Sequence, residues 1–193
     1  MKNRISQVYN AIDSAIMNVV GKGVRAYNWT TGDTKAGLAN KMLSVAPILE
    51  TTGIAFLNGI LLPLVITSSL LISHREQKRN NLIEDLERKA VEKNCLDLNV
   101  EAYKGVDKLF GAVYIGFGGL IQSSNNGAES EFNILFGTAQ YLRGLSCYVI
   151  RTDYLPPKKG FVERGIEGLA KLVKSYQAKP ELQPALANRR DLL

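Results

Sequence analysis

Apolar residues in this chain recur at helical spacing over most of its length, and in one place they crowd into a long uncharged run. From Ile54 to Ile72 about thirteen of nineteen residues are apolar and none is charged. A run of this length matches the roughly 20 residues that an α-helix needs to cross ~30 Å of hydrocarbon. The pattern therefore predicts a membrane-spanning helix over Thr51–Ser73. Asn58, Gly59, Pro63 and the Thr67-Ser68-Ser69 triplet interrupt it, as packing and kinking residues do in membrane helices.

Around this run the pattern is amphipathic. Ile5, Val8, Ile12, Ile16, Val19 and Val20 recur at three- and four-residue steps and predict a helix over 3–26, packed on the domain or lying at an interface. Leu38, Met42, Val45 and Leu49 mark a second helical stretch that ends near Pro47 and Glu50. Residues 74–94 read as a charged, solvated helix with a narrow stripe of Leu82, Ile83, Leu86, Ala90 and Val91. Two weaker apolar segments follow, 109–122 and 132–150. In the first, Ala112 and Gly116 form a small-xxx-small pair suited to close helix approach. Ser123–Glu131 is a polar loop with an Asn126-Gly127 turn signal. The last helix, 161–177, sets Val162, Ile166, Leu169, Val173 and Tyr176 opposite Glu163, Arg164, Glu167, Lys171 and Lys174. The tail after Pro180 is polar and reads as disordered.

The pattern predicts an all-α fold, a small helical membrane protein with one strong and two weaker membrane segments plus amphipathic helices. It divides into an amphipathic N-terminal helix (1–32), a membrane-associated helical domain (33–155) and a C-terminal amphipathic helix with its polar tail (156–193). Lys and Arg are sparse before the strong segment and dense after it, which places residues 74–108 and the C-terminus on the cytoplasmic side.

Composition modifies this picture little. A net charge of +6 on 193 residues, without a basic stripe or a recognisable motif, makes nucleic acid an unlikely partner. Two cysteines, Cys95 and Cys147, and one histidine, His74, offer neither a disulfide framework nor a zinc site. Phosphate-loop, metalloprotease and paired-carboxylate motifs are missing, so the expectation is a non-catalytic protein without a cofactor.

The candidate site residues are the polar groups at apolar segments. Glu50, Asn58 and Arg143 are the membrane polar candidates, because a charge in an apolar segment needs a partner. Glu50 and Arg143 neutralise each other if their helices meet. The plainer expectation sets Glu50 at a turn and lets Arg143 snorkel or face water. Arg151, with Lys158 and Lys159, is the candidate for a lipid headgroup. The resulting reading is an integral membrane protein that serves as a structural or accessory component. Its expected partners are the lipid bilayer and a protein partner or second copy. Two other classes compete: a small transporter or channel subunit with Glu50, Asn58 and Arg143 at its cavity, and a soluble all-α binding protein built around 54–72.

Overall fold

The computed structural model describes residues 2–57, 61–95, 97–124 and 130–177, and all six of its elements are α-helices. They are α1 (Lys2–Thr31), α2 (Lys35–Leu57), α3 (Leu62–Glu92), α4 (Leu98–Ser123), α5 (Ser130–Arg151) and α6 (Phe161–Gln177). Helices α2 to α5 form an up-down-up-down bundle, and α5 touches each of the other three. α1 lies across the end of α5, where Val24, Ala39 and Val149 form a small core with Val20, Leu38, Met42 and Leu155 against it.

Local chemistry sets the boundaries. The N–H of Gly32 donates to the carbonyl of Asn28 at 2.9 Å, and Gly32 adopts φ +78°, the left-handed geometry that closes a helix C-terminus. Thr34 Oγ1 accepts from the Gly37 N–H at 3.1 Å and caps α2. Asp97 does the same for α4, accepting from the Asn99 N–H at 2.9 Å. Pro63 sits in the first turn of α3, where its missing N–H costs nothing.

The expected span over Thr51–Ser73 is not one helix. α2 ends at Leu57, α3 begins at Leu62, and the two run antiparallel, so the apolar run is divided between the arms of a hairpin. Among the described residues no helix is long and apolar enough to cross a membrane. The segments 109–122 and 132–150 do not cross either. They belong to α4 and α5, which carry the buried Asp107 and Arg143 into the bundle. The reading as an integral membrane protein, the transporter alternative and the assignment of 74–108 and the C-terminus to a cytoplasmic side all needed a span, and all are corrected. The all-α class stands. Asn58, the Asn126-Gly127 turn and the tail from residue 178 lie outside the described residues.

Helices α4 and α5 meet through glycine, but not through the pair the sequence suggested. Gly116 faces open space, whereas Gly111 and Gly118 lie against Gly144 and Gly137. A Cβ on Gly144 would stand 2.6 Å from Ile115 Cγ1 and 3.0 Å from the Gly111 carbonyl oxygen. This contact predicts opposite signs for two alanine substitutions. Gly144→Ala overpacks the crossing and destabilises by about 1–3 kcal/mol. Gly116→Ala stabilises by about 0.5–1 kcal/mol, because it adds helix propensity without a clash. Denaturant unfolding of both variants checks the pair, and a shared sign would refute the glycine contact.

Candidate functional site

The interior of this bundle is largely polar. The inward face of α3 is Ser69, Ser73, Glu76, Asn80, Ile83 and Glu87, spaced at three- and four-residue steps. Across from it stand Lys35 and Glu50 on α2, Asp107 on α4, and Gln140 and Arg143 on α5, all buried.

Arg143 is the centre of the arrangement and is 2% exposed. Its Nε donates to Glu50 Oε1 at 2.8 Å and one terminal nitrogen to Glu50 Oε2 at 3.0 Å, a bidentate grip. The other terminal nitrogen donates to Glu76 Oε2 at 3.1 Å. Ser69 adds its hydroxyl and carbonyl oxygens as acceptors, at 2.9 and 3.3 Å. The two carboxylates draw in further donors: Gln140 Nε2 to Glu50 at 2.9 Å, Tyr114 to Glu76 at 3.0 Å, and the Ser69 hydroxyl to Glu50. Burial works against the guanidinium charge, but Glu50 and Glu76 outweigh it and hold its pKa above the ordinary value. Burial, with Glu76 beside it, pushes the Tyr114 phenol up. One cluster thereby joins all four bundle helices.

Two more buried pairs continue the polar spine. Arg79 meets Asp107 at 2.6 Å. Lys35, fully buried, contacts Glu87 at 2.5 Å and donates to the carbonyls of Ile150 and Thr152 at 2.9 and 2.5 Å, which secures the end of α5. Lys104 reaches the same Glu87 at 2.7 Å. Burial lowers the Lys35 pKa and Glu87 opposes it. Burial raises the Asp107 carboxyl to about 6 against the pull of Arg79, and raises the Cys147 thiol to about 12. A protonated, enclosed thiol is a poor nucleophile.

Of the sequence candidates, the structure brings Glu50 and Arg143 together instead of leaving them apart at a turn and in solvent. Arg151 grips Asp13 of α1 with two bonds of 2.7 and 2.8 Å and stacks on Tyr148. Lys159 pairs with Glu167, and Lys158 stays exposed while its N–H donates to the Gly32 carbonyl at 3.3 Å. The helix over 74–94 is not merely solvated, since it carries Glu76, Asn80 and Glu87 inward.

The outside of the same helices is apolar. Ile48 and Phe56 on α2, Leu64, Leu70 and Leu71 on α3, and Leu109, Val113 and Leu120 on α4 are all exposed, Leu64 at 70%. Between α2 and α3 lies an open groove of about 260 Å³, lined by Pro47, Ile48, Thr51, Thr52, Ile66 and Leu70. A larger cleft of about 490 Å³ at the opposite end has Asp97, Glu101, Asp153 and Tyr154 on its walls. Two of its acids stand at the start of α4, where Asp97 is the cap and Glu101 complements the helix dipole.

Comparison with protein-family models, with curated proteins and with solved structures returns no match to this chain.

Removing one partner of a buried, hydrogen-bonded pair leaves an uncompensated charge and costs about 3–5 kcal/mol. Arg143→Met strands both Glu50 and Glu76, so it is expected to reach that range and to exceed Glu50→Gln. Arg143→Lys does not rescue it, because one ammonium cannot reproduce a fork aimed at two helices. Chemical denaturation ranks the three, and a loss under 1 kcal/mol in Arg143→Met would contradict the assignment.

Asp107 supplies a pH test. Its folded pKa of about 6 lies above the unfolded 3.8, so the folded protein keeps a proton that the unfolded chain has lost. The stabilisation is complete below the unfolded value and disappears as pH rises through about 6. Between pH 7.5 and 5 the wild type should gain about 1.4 kcal/mol from this residue, one pKa unit's worth. Asp107→Asn should lack that gain. Equal pH slopes in both proteins would show that Asp107 titrates normally.

Proposed function

We propose that the chain is an all-α binding protein without catalytic chemistry of its own, which receives an apolar helix of a partner in the α2–α3 groove. The observation that carries this reading is the inverted distribution of side chains: charge and hydrogen-bonding groups inside, large apolar side chains outside. Scattered exposed apolar residues are ordinary on a protein surface. Here they are concentrated along the outer faces of adjacent helices, and contiguous patches of that kind mark interaction sites.

The groove suits a helix better than a small ligand. It is shallow and open, with Ile48 and Leu70 facing each other across its width and threonines along one wall. A partner helix would lay apolar residues at i, i+3, i+4 and i+7 along it. The rigid charged interior has a role in this reading, because it fixes α2 against α3 and presents the groove already formed, which lowers the ordering cost of binding.

Ile48→Glu combined with Leu70→Glu tests the groove. Both side chains are exposed, so thermal stability should change little, within about 0.5 kcal/mol for each. The wild type should bind an apolar fluorescent probe and associate in sedimentation velocity, and the double variant should lose most of both. A wild type that stays monomeric and dark with the probe, or a variant identical to it, would count against the groove as the binding surface.

A further inference from the structure

Helices α1, packed on the end of α5, and α6 lie outside the four-helix bundle and share two properties. Each leaves an apolar stripe uncovered. On α6, Val162, Ile166, Leu169, Leu172 and Val173 are all more than half exposed. On α1, Ile5, Val8, Ile12 and Val19 are likewise exposed and fall on one face. Each helix is also basic. Residues 2–31 carry four basic and one acidic side chain, and residues 158–177 carry five and two. Together these segments hold a net +6, the whole net charge of the chain, while residues 32–157, with twelve basic and thirteen acidic, are almost neutral.

The two helices are tied at one junction. Trp29 of α1 stacks on Phe161 of α6 with centroids 5.3 Å apart, and the Arg164 guanidinium lies over the Trp29 ring while donating to the Trp29 carbonyl at 2.8 Å. Gly32 and Gly160 let the connecting loops touch, since a Cβ on either would collide with the other segment's backbone. Trp29, the single tryptophan, remains half exposed there.

We propose that α1 and α6 form a docking surface for a lipid surface bearing anionic headgroups, on which they lie without crossing. The apolar stripes enter the headgroup–acyl boundary, and Arg4, Lys22, Arg25, Lys158, Lys171 and Lys174 meet the negative charge. An amphipathic ring such as Trp29 favours that same boundary. Uncovered stripes on two helices that also carry the excess positive charge complement an extended anionic surface. This inference goes beyond the α2–α3 groove and involves none of its residues.

The test uses the full-length protein with vesicles of phosphatidylcholine alone and of phosphatidylcholine with phosphatidylglycerol, read by co-sedimentation and by Trp29 fluorescence. Binding to the anionic vesicles should be at least tenfold tighter, weaken with added salt and shift Trp29 emission to the blue. Ile166→Glu with Leu169→Glu should weaken binding tenfold or more, as should Lys171→Glu with Lys174→Glu. These side chains are exposed, so circular dichroism and melting temperature should be unchanged, and the Ile48/Leu70 variant of the groove should bind vesicles as the wild type does. No binding to anionic vesicles, equal binding to both kinds, or a dimer that buries α6 in the absence of lipid would overturn the proposal.

Discussion

A guanidinium removed from water holds this bundle together. Arg143 has no solvent to fall back on, and the desolvation of such an ion is offset only where its partners are placed almost ideally. Glu50 from α2 and Glu76 and Ser69 from α3 supply those partners, with Gln140 and Tyr114 securing the carboxylates. Together these contacts link α5 to α2, α3 and α4. The register of α2, α3, α4 and α5 is therefore set by one charged cluster rather than by apolar interdigitation. Apolar packing is correspondingly thin. The small clusters around Val24 and Ile83 contain few large side chains.

The outer surface follows from the same inversion. When a helix turns its Ser, Asn and Glu residues inward, its leucines have nowhere to go but out. α3 illustrates this: Ser69 and Ser73 are buried while Leu70, Leu71 and Ile72 between them are exposed. The apolar exterior is thus the other half of a polar interior, and it gives the protein a surface that gains by being covered. The bundle presents an apolar groove between α2 and α3, and α1 and α6 present basic amphipathic faces.

Much of the helical layout was legible in the sequence because helical periodicity survives whichever face is apolar. The strongly patterned α6 announces itself, and its predicted bounds of 161–177 match the helix. The apolar run at Thr51–Ser73 misled because its interruptions fit packing and kinking residues inside one helix as well as they fit a break between two. Pro63 can open a helix as well as kink one, and here it opens α3. The burial direction was the larger loss. Ser69, Ser73, Glu76, Asn80 and Glu87 form a polar stripe that runs from the apolar segment straight into the charged one, and that continuity was a readable signal. It stayed hidden because an apolar stripe is ordinarily taken as the inward face. Glu50 and Arg143 stood out as charges in apolar segments, but ninety-three positions separate them, and sequence carries no record of which helices meet. Glu76 gave even less away, sitting among other charges.

The central claim is that the Arg143–Glu50 contact is a strong, specific coupling within a buried network. A double-mutant cycle on Arg143→Met and Glu50→Leu measures that coupling directly by equilibrium unfolding. The double variant should recover much of the stability lost in Arg143→Met, with a coupling energy of about 2 kcal/mol or more, since contacting charges in one network are strongly non-additive. Additive losses, with a coupling under about 0.5 kcal/mol, would mean that the two residues do not meet and that the bundle is held by something else.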